Sequence, residues 1–279
     1  MGINLAEHYL NRKQLPHIWC AGCGNGIVLG ALTRALANLG LDKKDVVVVT
    51  GIGCWGKADD YLTTNAFHGT HGRALAFATG IKAANPELTV IALMGDGDGL
   101  TIGGNHLIHS ARRNIGVTSI VVNNLNYGMT GGQYSATTPQ GRITSTSKYG
   151  NPEKAMDLCA LVSAAGASYV ARSTAYHVTQ LDSLIKKAIT HKGFSFVEVI
   201  SPCPTHFGRR NKLGSPIEMM KQLKEQGLNK VKYDMVPDEE KSKYFLIGKM
   251  VDRDEPDFNE RYETIRNRVL EAGKDRRDD

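Results

Sequence analysis

Residues 90–130 read VIALMGDGDGLTIGGNHLIHSARRNIGVTSIVVNNLNYGMT, and this stretch decides the fold that we expect for the chain. An apolar run ends at GDGD, residues 95–98, and a second apolar run ends at NN, residues 123–124. The segment between them has the length of one crossover helix joining two parallel strands, which would bring both polar clusters to the same edge of a sheet. A carboxylate and carboxamides that meet among glycines are suited to a hard divalent cation and to the phosphates it carries.

The rest of the chain alternates apolar runs of strand length with segments of helical spacing. This predicts an α/β fold, a mostly parallel sheet with helices on both faces. We expect strands at residues 46–50, 88–94, 117–123, 168–171 and 194–200. We expect helices at residues 26–39 with Asn25 as N-cap, and at 74–84, 103–114, 152–165, 177–191, 216–226 and 258–272. Residues 58–71 read as irregular, and residues 125–148 as a long loop of the kind that usually carries function.

The sequence changes character after Arg210, where charges of both signs become dense. We therefore expect residues 1–210 to form one domain. Residues 211–279 are predicted to form a charged C-terminal extension that wraps a partner or another part of the molecule. Within it, residues 228–257 are expected to be extended over a surface.

The overall composition excludes several classes of protein. The chain has 279 residues, and no apolar run approaches the roughly 20 residues of a membrane helix. The N-terminal sequence MGINLAEHYLNRK has no apolar core, so we expect no signal peptide and a cytoplasmic protein without membrane contact. The net charge of +6 is not gathered in a basic block interleaved with aromatics, so we expect no nucleic-acid partner. A mildly basic body suits anionic substrates.

Four of the five cysteines stand where a metal centre could form. Cys20 and Cys23 make a C-x-x-C pair, while Cys54 and Cys203 follow predicted strands at the edge that carries the polar clusters. Four thiolates from three turns could hold one [4Fe–4S] cluster or a structural zinc, and the spacing leaves both open. The fifth, Cys159, lies in the apolar segment LCALVSAAG, which predicts a buried thiol.

A GDG sequence followed after about thirty residues by NN at a strand end is the signature of thiamine diphosphate enzymes. On chemistry alone, Asp96 and Asn124 offer side-chain oxygens to Mg²⁺ and Asn126 offers its carbonyl. The other residues that we expect around the cofactor are Gly53, Cys54, Gly95, Gly97, Asp98, Thr130, Gly131 and Gln133. We find no second thiamine-type domain to supply an activating glutamate, so another polypeptide should complete the site.

Six segments of the chain together resemble the β subunits of 2-oxoacid:ferredoxin oxidoreductases. In order from residue 20 to residue 211 they read CAGCGNG, GIGCWGK, HGTHGRA, ALMGDGDG, NNLNYGMTGGQ and SPCPTHFGRRN. The charged tail after FGRRNKLGSP is most similar to the β subunits assigned to 2-oxoglutarate. The departure is Trp55, a bulky residue in a turn where the family usually has a small one.

The resemblance implies a thiamine diphosphate-binding domain over residues 1–210 and a set of ligands and partners. It implies Mg²⁺–thiamine diphosphate on Asp96, Asn124 and Asn126, and a [4Fe–4S] cluster on Cys20, Cys23, Cys54 and Cys203. It implies an α subunit that carries the activating glutamate, with coenzyme A bound between the subunits. It further implies an α–β heterodimer that pairs into a dimer of heterodimers, with ferredoxin as electron acceptor.

The reaction that follows is the oxidative decarboxylation of a 2-oxoacid, here 2-oxoglutarate, with coenzyme A to give acyl-CoA and CO₂. The resemblance implies that Lys57 faces the substrate carboxylate. Lys57 and Arg142 are the candidates for the second carboxylate of 2-oxoglutarate, and His71 for a polar contact or proton donor. The alternatives are the same reaction on pyruvate or branched-chain 2-oxoacids, a non-redox thiamine-dependent decarboxylase subunit, and a zinc-bearing structural subunit.

Overall fold

The structure, a computed structural model, describes residues 6–275. The first five residues of the N-terminal segment discussed above and the last four of the C-terminal extension lie outside the described residues. Within this range, seven strands form one sheet in the order β2-β1-β3-β4-β6-β5-β9, and two short strands pair separately. The strands are β1 Val46–Thr50, β2 Asn65–His68, β3 Thr89–Gly95, β4 Val117–Asn123, β5 Tyr169–Thr174, β6 Ser195–Ile200, β7 Gly227–Leu228, β8 Phe245–Leu246 and β9 Gly248–Asp252.

The main sheet is parallel at every described pairing except one, where β9 runs antiparallel to β5. Strand β4 is buried along its whole length, and its apolar, β-branched sequence is the kind that central parallel strands carry, because helices cover both of their faces. The predicted α/β fold with a mostly parallel sheet is confirmed.

Helices cover both faces of the sheet, as expected. Helices α1 and α5 pack in one apolar cluster with alternate residues of the strands, whereas α2, α3 and α4 pack in a second cluster on the opposite face. The helices are α1 Asn25–Leu39, α2 Ala74–Ala84, α3 Gly104–Arg113, α4 Leu158–Ala164, α5 Val178–Thr190, α6 Pro216–Gln226, α7 Lys230–Asp234 and α8 Phe258–Asp275. Across residues 6–275, no helix combines the length and the apolar character that a membrane span requires.

The sheet order brings the sequence motifs together. Strands β1, β3, β4 and β6 are adjacent and parallel, so their carboxyl ends meet at one edge. The turns that leave these ends contain residues 51–56, 96–98, 124–126 and 201–203. Each predicted motif that follows a strand therefore lies beside the next, as parallel strand ends require.

Three local predictions differ from the structure. Residues 58–71 are not irregular throughout. They contain the end of a 3₁₀ helix, Trp55–Tyr61, and the edge strand β2. All four residues of β2 are exposed, so the strand has no apolar alternation to read. The helix expected at 152–165 begins only at Leu158, where the Asp157 side chain caps it by accepting from the Ala160 amide. Asn25 is the first helical residue rather than the N-cap, and Gly24 precedes the helix.

The C-terminal segment is more structured than the extended chain expected at residues 228–257. It contains α7, a 3₁₀ helix at Asp238–Lys243, and β8, which pairs with β7. Strand β9 then joins the main sheet beside β5. The segment therefore joins the main domain through backbone hydrogen bonds between β9 and β5. A strand of only five residues is too short for its sequence pattern to predict this pairing.

Candidate cofactor and metal site

Asp96 lies at the end of β3 and is almost fully buried, with 1% of its surface exposed. Its Oδ2 accepts hydrogen bonds from Ser135 Oγ at 2.5 Å and Thr137 Oγ1 at 2.7 Å, and its Oδ1 faces the Asn124 backbone amide at 3.4 Å. Burial raises the pKa of Asp96 to about 6, although these hydrogen bonds favour the carboxylate. A buried carboxylate that costs free energy to ionise is stabilised by a cation beside it.

Three oxygen donors, one of them from Asp96 itself, can face the same position. One terminal atom of the Asn124 carboxamide lies 3.2 Å from Asp96 Oδ1 and 2.6 Å from the Asn126 carbonyl oxygen. With nitrogen in that position, the amide donates to both oxygens. With oxygen in that position, the Asn124 oxygen lies beside both Asp96 Oδ1 and the Asn126 carbonyl oxygen. These two oxygen–oxygen distances are comparable with the about 3 Å between neighbouring ligands of octahedral Mg²⁺. The residues present therefore fit the expected magnesium ion.

Asp98 fixes two neighbouring loops to the start of the crossover connection. Its Oδ1 accepts from the backbone amides of Ile52 at 3.2 Å and Gly72 at 2.6 Å, and it lies 2.6 Å from His71 Nδ1. A Cβ atom on Gly51 would lie 2.0 Å from Asp98 Oδ2, so only glycine allows this close approach. Asp98 thus holds the His71 ring in place from beneath the site.

The segment between Asp96 and α3 begins with a π-helical turn, Gly97–Ile102, a form that is often found at functional sites. The Tyr127 hydroxyl donates to the Gly97 carbonyl at 3.1 Å, and a Cβ atom on Gly97 would lie 2.3 Å from the Tyr127 ring. Tyr127, which the sequence did not single out, therefore closes the loop after β4 over this turn.

A cavity, which we call the cofactor cavity, opens among these turns. It is lined by the expected residues Gly53, Cys54, His71, Gly95, Asp96, Gly97, Asp98, Asn124, Asn126 and Thr130. Two other expected residues, Gly131 and Gln133, do not line it among the described residues. The Gln133 Oε1 instead accepts from Thr130 Oγ1 at 2.7 Å. Gln133 therefore braces the loop rather than facing the cavity.

The four cysteines expected to hold a cluster line a second cavity of about 210 Å³, which we call the thiol cavity: Cys20, Cys23, Cys54 and Cys203. Cys20 is exposed, whereas Cys203 is buried. In the described chain, the only three potential metal-ligating side chains within 4.8 Å of one another are Asp157, Cys159 and Glu198. No three of the four thiols converge that tightly, whereas sulfurs around one zinc lie about 3.8 Å apart. Four thiols around one cavity are a suitable donor set for a four-iron cluster, in which each thiolate binds a different iron.

The protein surroundings disfavour the charged form of two of these thiols. Burial raises the pKa of Cys23 to about 11 and that of Cys54 to about 12, and the neighbouring cysteines raise both further. Neutral thiols in a shared cavity become ligands when a metal displaces their protons. The donor set therefore fits the expected iron–sulfur cluster.

The two cavities share a wall made of Cys54, Asn124, Gly128 and Met129. A Cβ atom on Gly128 would lie 3.4 Å from Cys54 Sγ and 3.7 Å from Cys203 Sγ. Glycine at this position keeps the wall thin between the magnesium ligands and the thiols.

Trp55, the departure from the family pattern, lines the cofactor cavity next to Cys54. Its ring is buried, its Nε1 donates to the Ile120 carbonyl at 3.3 Å, and it packs 5.8 Å from Trp19 between ring centroids. The Trp19 Nε1 in turn donates to the Cys54 carbonyl at 2.6 Å. The two indoles therefore support the Cys54 turn from the core side.

Lys57 and Arg142 lie outside the lining of both cavities in the described structure. Lys57 Nζ pairs with Asp60 Oδ2 at 2.6 Å, and this hydrogen bond raises the pKa of Lys57. Arg142 is exposed in the long loop. The structure thus gathers the metal and diphosphate residues but does not bring these two cations to them.

Besides Tyr127, the sequence did not single out Ser135 and Thr137, which hold Asp96 from the long loop. Nothing in the loop's Ser- and Thr-rich sequence marks which hydroxyls turn inward, apart from the length that predicted a functional loop. The prediction of a buried Cys159 is confirmed, and its thiol lies 3.3 Å from Glu198 Oε2.

Comparisons with known proteins identify the family of the chain. A family model described as the thiamine pyrophosphate enzyme, C-terminal TPP binding domain, matches residues 51–199. The chain is 51% identical over 254 residues to the 2-oxoglutarate synthase subunit KorB of Methanothermobacter thermautotrophicus, with 91% of this chain and 88% of that protein covered. It is 42% identical over 203 residues to the 2-oxoacid:ferredoxin oxidoreductase 2 subunit beta of Aeropyrum pernix, with 72% and 66% covered.

A solved structure shows the same fold. It is the 2-oxoglutarate:ferredoxin oxidoreductase from Magnetococcus marinus with 2-oxoglutarate, coenzyme A and succinyl-CoA bound. The identity is 30% and the TM-score 0.84, with 95% of this chain and 90% of that chain covered. The sheet edge that gathers the GDGD and NN motifs lies within the matched thiamine pyrophosphate domain. The chain belongs to the 2-oxoacid:ferredoxin oxidoreductases, a family of thiamine diphosphate enzymes, as a β subunit.

Proposed function

We propose that this β subunit, with an α subunit, converts 2-oxoglutarate and coenzyme A to succinyl-CoA and CO₂ and passes two electrons through a [4Fe–4S] cluster to ferredoxin. The observation that carries the proposal is the shared wall of the two cavities, which sets a magnesium donor set beside four thiols. The same machinery would run in reverse as a reductive carboxylation when reduced ferredoxin and succinyl-CoA are supplied.

Asp96, Asn124 and Asn126 would hold Mg²⁺, and the backbone around Gly97 would receive the diphosphate. Bound thiamine diphosphate supplies the carbanion that attacks the 2-oxo carbon and accepts the electrons left when CO₂ departs. His71, held by Asp98, faces the same cavity and can donate or accept a proton at the reacting oxygen. This chain therefore orients the cofactor and supplies one proton-carrying group.

The thiol cavity supports the redox part of the proposal. Two electrons remain after decarboxylation, and ferredoxins accept electrons singly, so a one-electron centre is needed close to the reacting carbon. Cys20, Cys23, Cys54 and Cys203 would hold that centre. A non-redox decarboxylase subunit has no need for four cysteines at this wall, and metal analysis for iron and zinc separates the cluster from a structural zinc.

The lining of the cofactor cavity supports the need for an α subunit. Asp96 and Asp98 are the carboxylates that line it in the described part of the chain, and both are already engaged by hydrogen bonds. A thiamine enzyme needs a glutamate at the aminopyrimidine, so the glutamate would come from the partner.

The choice of 2-oxoglutarate is supported by the names of the similar proteins and by the mildly basic chain. Lys57 and Arg142 remain our candidates for its second carboxylate. Since neither lines the cavities, contact with the substrate requires the bound α subunit or movement of the long loop. Pyruvate and branched-chain 2-oxoacids would not use this second cationic group.

The test is an anaerobic preparation of the chain together with its α subunit. We expect a brown complex with about four iron atoms per β subunit, and ferredoxin or viologen reduction that needs coenzyme A. In a substrate panel, 2-oxoglutarate should exceed pyruvate and branched-chain 2-oxoacids. A colourless, iron-free complex would refute the redox proposal, and an equal rate with pyruvate would refute the substrate.

A further inference from the structure

A buried ion pair lies beneath the edge that carries the magnesium ligands. Glu198 of β6 and Arg172 of β5 are register partners on adjacent parallel strands. Arg172 Nε donates to Glu198 Oε2 at 2.6 Å, and only 2% of Glu198 is exposed. The other end of the guanidinium donates to Asp157 Oδ1, also at 2.6 Å. Asp157, Cys159 and Glu198 are close enough together to hold a metal ion, but Arg172 already supplies the positive charge there.

The second oxygen of Glu198 points toward the site. Glu198 Oε1 accepts from Asn123 Nδ2 at 2.7 Å, and Asn123 Oδ1 accepts from the Leu125 backbone amide at 3.2 Å. A continuous chain of hydrogen bonds therefore runs from the ion pair to the backbone of the turn after β4. The Asn123 carboxamide is fixed in one orientation, because a carboxylate can only accept and a backbone amide can only donate.

The turn that this chain reaches contains two of the three expected magnesium ligands, Asn124 and Asn126, on either side of Leu125. Leu125 has φ +65°, a left-handed conformation that is uncommon outside glycine and asparagine. Its amide is held by Asn123, and its carbonyl accepts from Thr138 Oγ1 at 2.6 Å. These hydrogen bonds offset the backbone strain that aims the flanking residues into the cofactor cavity.

We infer that Glu198 is a positioning residue for the Mg²⁺–thiamine diphosphate site, because its carboxylate orients Asn123 and so fixes the turn that presents Asn124 and Asn126. This inference rests on the proposed function. Partners of metal-ligating groups typically change metal affinity about 10- to 100-fold when they are replaced. A purely structural ion pair would instead alter the stability of the sheet and leave the affinity of the folded protein unchanged.

The test compares Mg²⁺–thiamine diphosphate binding, measured by calorimetry on the anaerobic complex with its α subunit, with iron content and Tm as separate readouts. In Glu198→Gln, the new amide nitrogen can face Asn123 Nδ2, which is also a donor, so that this hydrogen bond is lost. Alternatively the Asn123 carboxamide turns over to accept from the new amide, and its oxygen then no longer accepts from the Leu125 amide. We expect about 10- to 100-fold weaker binding with unchanged iron content. The matched control is Cys159→Ala, which removes a thiol from Oε2 of the same carboxylate, and we expect wild-type affinity.

A double variant restores the chain of hydrogen bonds with the negative charge moved from residue 198 to residue 123. In Asn123→Asp two carboxylates face each other, so binding should weaken as well. In the double variant Glu198→Gln, Asn123→Asp, the introduced glutamine amide can donate to the introduced aspartate, which still accepts from the Leu125 amide. We therefore expect the double variant to bind at least about tenfold more tightly than either single variant.

Each outcome decides the inference. Wild-type affinity in folded Glu198→Gln, or additive losses in the double variant, would overturn it while leaving the proposed function intact. Should Glu198→Gln not fold, Asn123→Ala keeps the Arg172–Glu198 pair and removes both hydrogen bonds that connect Glu198 to Leu125, so unchanged binding there would overturn it too. Failure of the unmodified complex to bind the cofactor would instead refute the proposed function, and the inference with it.

Discussion

The two ends of the site are built in opposite ways. The magnesium end is buried and linked by hydrogen bonds within the chain: Ser135 and Thr137 hold Asp96, and Asn124 meets Asp96 and Asn126. The thiol end gathers four cysteines in a cavity, and burial raises the pKa of Cys23 and Cys54 rather than preparing them as thiolates.

This difference separates a site that the fold organises in advance from one that its metal completes. At the magnesium end the ligand atoms already lie at spacings suited to the ion, so binding needs little rearrangement. At the thiol end, the iron of the proposed cluster would have to displace protons from Cys23 and Cys54 before the ligand set exists. A substitution at one end should therefore affect cofactor binding at the other end only through their shared wall.

The largest effect is expected from Cys54→Ala. Because a [4Fe–4S] cluster needs all four thiolates, we expect iron content to fall to near zero and ferredoxin reduction to be lost. Thiamine diphosphate affinity should fall far less than iron content, because Cys54 lines the cofactor cavity but the magnesium donors keep their hydrogen bonds. Iron analysis and calorimetry on the complex measure both, with Cys159→Ala as control. Loss of both cofactors in Cys54→Ala would show that the two ends are coupled.

The next effect is expected from Asp96→Ala, which removes the charged ligand. We expect Mg²⁺-dependent thiamine diphosphate binding to weaken by at least about 100-fold, because a carboxylate is the principal ligand of the ion in such sites. Iron content should remain close to that of the unmodified complex. Normal cofactor binding in this variant would rule out Asp96 as a magnesium ligand.

The last prediction concerns the free energy of unfolding of the cofactor-free chain. Because burial raises the pKa of Asp96 to about 6, its stabilising contribution is present below the unfolded pKa near 3.8 and is lost as pH rises through 6. We expect Asp96→Asn to be more stable than wild type at pH 7.5, by on the order of 3 kcal/mol.

Chemical denaturation of both cofactor-free chains between pH 5 and pH 7.5 measures this difference, which should shrink as pH falls. A constant difference across that range would mean that Asp96 does not titrate there. The same substitution should abolish cofactor binding, so stability and function would change in opposite directions.

The sequence was sufficient to predict the sheet and the meeting of its motifs, because the determining signals are local. An apolar run that ends at Gly95-Asp96 and another that ends at Asn123-Asn124 mark strand ends, and parallel strand ends must share an edge. The cysteine pattern likewise predicted four thiols in one cavity.

Other parts of the site depend on contacts that no local pattern encodes. Ser135 reaches Asp96 from 39 residues away in a loop without periodicity. Strand β2 is exposed on all its residues and exists through pairing with β1. The pairing of Lys57, our candidate for a substrate carboxylate, with Asp60 in the 3₁₀ helix is likewise not evident from the sequence.

The antiparallel pairing of β9 with β5 has a consequence for synthesis of the chain. Strand β5 is made well before Gly248–Asp252, so its outer edge stays open on a nascent chain that already contains the four cysteines of the proposed cluster. Open edge strands recruit strands from other molecules. Truncated products that end before β9 are therefore expected to aggregate, even though each of their cofactor ligands is present.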